Sequence, residues 1–366
     1  MSIRAAVLTA PERPLEVWEL EDPILERGSV LLETVASEVC GTDVHLHQGR
    51  LAGVPYPIIP GHVSVGRVLE AQGVETDALG TPLATDDVVT FYDVFGTCNA
   101  CWFCTVAKQP TRCPNRQVYG ITYSVHDGPL GGWAERIYLK PGVRVVKLPN
   151  DLSADDVIGG GCGLFTGFAA VERSQLAMGD VVVIQGSGPV GLSAVAFARL
   201  RGAAIVVSIG APAARLELAT KLGADTVLSV DERSVDERTA FVQELTGGRG
   251  ADVVIEASGN PVAVPEGLAL VRDGGTYVIA GHYTDAGPVT INPHVDINRP
   301  HVDVRGQWGT EFHHIVRALR MLSKHHERLP FADVIGGRYS LERAGQAIAD
   351  VASLQVTKAI IEPGTS

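Results

Sequence analysis

The chain has little clustered positive charge. Its 30 Lys and Arg are outnumbered by 42 Asp and Glu, for a formal net charge of −12. Neutralising nucleic-acid phosphates requires patches of Lys and Arg, so a nucleic-acid partner is excluded, and an anionic membrane surface is excluded on the same ground. No run approaches the ~18 apolar residues of a bilayer-crossing helix. The opening MSIRAAVLTAPERPLEVWEL sustains no apolar core and meets Pro11 early, which gives no export signal and makes the cytoplasm the expected location. Internal repeats and low-complexity tracts are also missing. The 41 Gly and 21 Pro are dispersed, as short strands and tight turns require.

What is present is the composition of a globular protein, with 45% hydrophobic and 20% charged residues over 366 positions. That length exceeds what one core usually supports, so two domains are expected. Up to about residue 150 the chain reads as short β-rich runs, SVLLETVAS, IIPGHVSVGRVLEA, DDVVTF and WAERIYL, which suggest an irregular barrel or sandwich. Beyond Met178 the rhythm changes. The buried run VVVIQ enters GSGPVG and a helical pattern, LSAVAFARLRG; strands IVVSI, TVLSV, VVIEAS and TYVIAG then alternate with helices around TAFVQELTG and through PEGLALVRDG. This pattern predicts an α/β architecture with a doubly wound parallel sheet over residues 164–308. The helix HHIVRALRMLSKHH and the strand VTKAIIEP are expected to return to the first domain, giving it residues 1–163 and 309–366.

Four of the six cysteines lie in CNACWFCTVAKQPTRC: Cys98, Cys101 and Cys104 at successive C-x2-C spacings, and Cys113 after eight further residues. Thiolates so spaced can close on one tetrahedral zinc at about 2.3 Å, and four sulfurs leave no open coordination position. Disulfides are the alternative, disfavoured in a cytosolic chain. The segment therefore reads as a structural clasp, and the chemistry belongs elsewhere. Cys40 and Cys162 remain, with Gly61-His62 between them. A catalytic zinc takes three protein ligands and keeps a vacancy, and Cys2His is one recognised set. Taken singly, a buried Cys is usually a small hydrophobe and a His a satisfied polar group.

In their order and separations, CGTDVH, PGH, the cysteine lobe, CGLFTG and GSGPVG resemble the zinc-dependent alcohol dehydrogenases of the medium-chain dehydrogenase/reductase superfamily, over nearly the whole chain. The resemblance implies a GroES-like β-rich catalytic domain beside a Rossmann domain, and two zincs per chain. It makes Cys40, His62 and Cys162 the catalytic zinc ligands and Cys98, Cys101, Cys104 and Cys113 the structural set. It casts Thr42 as the hydroxyl that takes the alcohol proton, His45 as the imidazole that passes it on through the cofactor ribose, and Asp43 as the carboxylate that orients the ligating His. The resemblance also implies a small-molecule alcohol or ketone partner and a dimer or tetramer. One departure is visible: Val63 stands where the family usually carries Glu.

Gly186, Gly188 and Gly191 satisfy G-x-G-x-x-G between an apolar strand and a helix, the context of a dinucleotide site. About twenty residues on, where Asp or Glu would hold the ribose of NAD, the chain has Gly210, and the nearest basic residue is Arg215. Either NAD or NADP is therefore expected. Thr166 and Val190 match nicotinamide contacts, and Lys358 matches a basic pyrophosphate contact. His282, Tyr283, Trp308 and His313 are candidates to line a substrate pocket, though packing is the simpler role for each. The expected substrate is a small or cyclic secondary alcohol. A zinc lyase or hydrolase, and a non-catalytic nucleotide binder, are the competing readings.

Overall fold

The computed structural model describes residues 2–365. They fall into two compact units: residues 2–161, 311–326 and 331–365 form one, and residues 162–310 with 327–330 form the other.

The first unit is built on a seven-stranded sheet. Its strands run Ile335–Tyr339, Lys358–Ile361, Val30–Val39, Ser64–Ala71, Val88–Phe91 and Val145–Lys147, with Arg136–Leu139 also paired to Val30–Val39. The C-terminal strand Lys358–Ile361 lies antiparallel to Val30–Val39, aligning Ile360 with Glu38. One core cluster joins Ile3, Val7, Val39, Trp133, Ile348 and Ile361, so residues from both ends of the chain share one apolar interior. The run IIPGHVSVGRVLEA is a strand only over Ser64–Ala71. Its first half turns at Gly61 (φ +90), where a Cβ would fall 2.5 Å from Ser37 Oγ and from the Trp133 ring, so the turn admits only glycine.

The second unit carries a six-stranded parallel sheet. In space the strands run Thr226–Ser229, Ile205–Gly210, Val181–Gln185, Ala251–Glu256, Val271–Ile279 and Asp303–Gly306. In sequence terms the order is third, second, first, fourth, fifth, sixth. That is the Rossmann order, with its switch point beside the first strand. Val183, Val207, Val254 and Tyr277 pack in its core. Two details differ from the sequence pattern. The helix through PEGLALVRDG stops at Leu270, and Val271 already starts a strand, bulged ahead of Gly274-Gly275. The strand Asp303–Gly306 escaped notice because DVRG is short, polar and mostly exposed, which leaves no hydrophobic alternation to read. The helix Val235–Leu245 begins earlier than TAFVQELTG, at a capping box formed by Ser234 and Glu237.

Candidate active site

In the lobe, the four cysteines converge. Sulfur separations are 3.5 Å for Cys101 and Cys104, 3.9 Å for Cys101 and Cys113, and 3.6 Å for Cys98 and Cys113. Backbone N–H groups are aimed at them: Cys101 donates to Cys98 Sγ at 3.2 Å and Cys98 to Cys113 Sγ at 3.4 Å. Amides of Ala100 and Cys101 draw the Cys98 thiol down to about 6, into the thiolate range at neutral pH. Desolvation and the neighbouring Cys101 and Cys113 sulfurs push Cys104 up to about 12. Sulfurs this close repel one another as thiolates unless a cation lies among them, so the donor set fits one tetrahedral zinc.

The second group, buried apart from half-buried Cys162, is assembled from distant sequence. Ligand atoms of Glu38, Cys40, His62 and Cys162 lie within 4.8 Å of one another. Cys40 follows the strand Val30–Val39 and is the N-cap of the helix Gly41–His47. Its sulfur accepts the Thr42 N–H at 3.3 Å. His62 follows the Gly61 turn and is only 6% exposed. Cys162 is reached through a break: the helical stretch Ala154–Ser174 has one non-helical residue, Gly161 (φ 53, ψ −139), and the bend turns the next side chain out of register. Two sulfurs and an imidazole are a zinc donor set, so the residues fit the metal that the sequence implied.

Glu38 is the member that sequence reasoning missed. Its Oε1 lies 3.5 Å from His62 Nε2 and its Oε2 2.5 Å from Lys358 Nζ, with both side chains at 0% exposure. Gly161 was missed too, although the run GGGCG ahead of Cys162 was a legible signal for a backbone crowded by its neighbours.

Around this group, Asp43 closes a capping box by accepting the Cys40 N–H at 2.8 Å. Its other oxygen has no hydrogen-bond partner, and burial raises its carboxyl while nearby His62 pulls it down. The bond it makes thus holds the backbone of one expected ligand, beside the imidazole of another. Thr42 and His45 sit three residues apart on the helix Gly41–His47 and share a face. Burial, then the Arg50 charge, lowers the His45 pKa, so its imidazole is neutral at pH 7.

At the glycine-rich turn, Gly188 is the N-cap of the helix Pro189–Arg201. A Cβ on Gly191 would meet Gly186 O at 1.8 Å, so the turn closes only with glycine there. A Cβ on Gly188 would meet nothing within 4 Å, which leaves the helix N-terminus open to a phosphate. Gly210 ends the second strand with its Cα facing Ser187, where a Cβ would fall 2.4 Å from Ser187 Oγ. No side chain fits without displacing Ser187. Arg215 is buried on the helix Ala213–Lys221, and desolvation lowers its pKa. Thr166 and Val190 are half-buried in the second unit.

Of the pocket candidates, Tyr283 and Trp308 stack on each other at 5.3 Å and 7°, and the Trp308 indole donates to Tyr283 O. His282 Nε2 lies 3.8 Å from Glu256 Oε2, and His313 is exposed on the helix Phe312–His325. Packing thus accounts for the Tyr283–Trp308 pair.

Residues 26–150 match the family described as alcohol dehydrogenase GroES-like domain, and residues 189–324 match zinc-binding dehydrogenase. Together these define a two-part zinc dehydrogenase, a GroES-like domain with a Rossmann domain. The 5-exo-hydroxycamphor dehydrogenase of Pseudomonas putida is 33% identical over 363 residues, 98% of each chain. An alcohol dehydrogenase structure from Thermotoga maritima superposes with TM-score 0.94 at 35% identity, covering 99% of this chain and 100% of that one. A Sinorhizobium meliloti structure bound to NADP superposes with TM-score 0.87 at 27% identity, covering 99% and 100%. The chain belongs to the zinc-dependent alcohol dehydrogenase family of the medium-chain dehydrogenase/reductase superfamily, and its activity is NAD(P)-dependent interconversion of alcohols and carbonyl compounds. No helix among the described residues is long and apolar enough to cross a membrane.

Proposed function

We propose that the chain oxidises a secondary, ring-borne alcohol at a zinc held by Cys40, His62 and Cys162, with a second, structural zinc held by Cys98, Cys101, Cys104 and Cys113. The observation that carries this reading is the convergence of those two sulfurs and one imidazole, distant in sequence, within 4.8 Å. Residues 1–163 with 309–366 are assigned to the zinc-binding domain and residues 164–308 to the nucleotide domain. The substrate class is supported by likeness to a dehydrogenase named for 5-exo-hydroxycamphor.

A zinc held by Cys40, His62 and Cys162 would supply Lewis-acid polarisation of the alcohol oxygen, and a bound nicotinamide would supply the hydride acceptor. Overall, alcohol and NAD(P)⁺ give ketone or aldehyde, NAD(P)H and one proton. The Thr42 hydroxyl would accept that proton while giving up its own, and His45, neutral at pH 7 and on the same helix face, would take the released proton by way of the cofactor ribose and pass it to solvent. Asp43, which holds the Cys40 backbone, is assigned by its matching position to orient the ligating His62.

Gly186, Gly188 and Gly191 form the pyrophosphate turn, Thr166 and Val190 flank the nicotinamide, and Gly210 and Arg215 border the adenosine ribose. The crowding of Gly210 against Ser187 leaves no room for a carboxylate that would repel a 2′-phosphate, which supports acceptance of NADP as well as NAD. Lys358 is assigned to the pyrophosphate by its matching position. The enzyme is assigned to the cytoplasm as a dimer or tetramer.

The test combines zinc analysis with a panel of primary, secondary and cyclic alcohols followed at 340 nm, with NAD and NADP separately. About two zincs per chain and turnover of cyclic secondary alcohols are expected. One zinc per chain, or no absorbance change with any alcohol, overturns the reading.

A further inference from the structure

Glu38 has no role in the reaction just described, yet its carboxylate is grouped with Cys40, His62 and Cys162. We propose that Glu38 is a displaceable fourth donor of that metal site and that Lys358 restrains it. The inference rests on the zinc assignment above and deepens it.

The backbone aims this side chain. Glu38 donates its N–H to Val63 O at 3.1 Å, and its own carbonyl accepts the indole N–H of fully buried Trp133 at 3.0 Å. The carboxylate is fully buried, and its two oxygens meet different neighbours. Oε1 faces the His62 imidazole at 3.5 Å, and Oε2 accepts from Lys358 Nζ at 2.5 Å.

Gly161 shows that the space is reserved. A Cβ there would lie 2.0 Å from Glu38 Oε2 and 2.8 Å from Lys358 Nζ, at the residue whose bend delivers Cys162. The carboxylate, the ammonium and the bend therefore occupy one packed arrangement.

A structural ion pair would explain Oε2 but not the orientation of Oε1 into a group of metal-donor atoms. Charge explains the pair. A zinc dication with two thiolates is already neutral, so a third buried anion needs its own counter-cation, and Lys358 is that cation. Held at Oε2 by the ammonium, the carboxylate is a weak donor through Oε1, one that a substrate oxygen can replace.

Val63 fits this account. It lies across the strand pair from Glu38, is 5% exposed and offers no donor, so the only carboxylate at this register comes from the neighbouring strand. The ion pair also competes with the pyrophosphate contact assigned to Lys358, because one ammonium serves both.

The test is zinc retention and the visible spectrum of the cobalt-substituted protein. Removing Glu38 alone strands a buried lysine, so the main variant is Glu38→Gln with Lys358→Met, checked for fold by circular dichroism and for the retained lobe zinc. It should lose the Cys40–His62–Cys162 metal to a chelator about 10-fold faster than the native protein, with shifted cobalt ligand-field bands. Lys358→Met alone should retain that metal longer and raise the KM for alcohol, because the carboxylate is no longer restrained. Equal rates of metal loss and unchanged cobalt bands in the double variant would overturn the proposal while leaving the zinc site itself standing. Loss of no zinc from Cys162→Ser would instead overturn the site.

Discussion

The two cysteine groups of this chain are made in opposite ways. In the lobe, Cys98, Cys101, Cys104 and Cys113 belong to one short segment and are intermediate or buried. Backbone amides of that same segment point at the sulfurs. The other group draws on a strand end, a glycine turn and the residue after a broken helix, and it buries a carboxylate and an ammonium alongside. A group made locally closes completely because its neighbours can all be ligands. A group made at long range takes what each element can deliver, here two sulfurs, an imidazole and a carboxylate, a mixed set of the kind that a catalytic zinc site uses.

This contrast can be broken most severely at Cys162. Cys162→Ser should lower alcohol oxidation by about 1,000-fold or more and remove one zinc, while the Rossmann fold still binds nucleotide. Steady-state kinetics at 340 nm and zinc analysis check it; normal turnover would show that the ligand set is misassigned. Next is Gly161→Ala, which forces a Cβ against the Glu38–Lys358 pair at a backbone with φ 53. A loss of about 3 kcal/mol or more in unfolding free energy is expected, with zinc lost from the buried group and kept in the lobe.

Cys104→Ala should do the converse. About one zinc equivalent should leave, the segment 98–113 should become sensitive to protease, and the buried group should keep its metal. Equal loss from both groups would mean that they are not independent.

The smallest effect lies away from both groups. His314 Nδ1 accepts the Glu311 N–H at 2.9 Å and so caps the helix Phe312–His325. Burial, then the His313 and Arg317 charges, holds its pKa down at about 4, against 6.5 for a free imidazole. The folded value is depressed, so its contribution to stability is present above pH 6.5 and is lost as pH falls through about 4. After discounting for partial exposure, the loss is roughly 1 kcal/mol. Denaturant midpoints at pH 7 and pH 4.5 should differ less for His314→Asn than for the native chain, since an amide oxygen can accept the same N–H without titrating.

Much of the molecule was legible from short-range pattern. VVVIQ, IVVSI and VVIEAS are continuous apolar runs because strands in a parallel sheet are covered on both faces, and they form three adjacent strands. The helix end at Leu270 was misplaced because PEGLALVR has helical composition on both sides of the boundary, and only pairing with Ala251 draws Val271 into the sheet. The strand Asp303–Gly306 was illegible for lack of apolar residues.

By itself the sequence determined whatever depends on near neighbours: the lobe through its C-x2-C spacings, the nucleotide turn through glycines between strand and helix, and the alternation that makes a Rossmann sheet. Only the tertiary structure decided that Glu38 and Lys358, 320 residues apart, share one buried position, and that Gly161 must lack a side chain to let them. The reason is physical. Spacing along the chain governs contacts made within a turn or a hairpin, whereas the buried Glu38 carboxylate is paired with a lysine from another strand, and which strand arrives is settled by packing of the whole core.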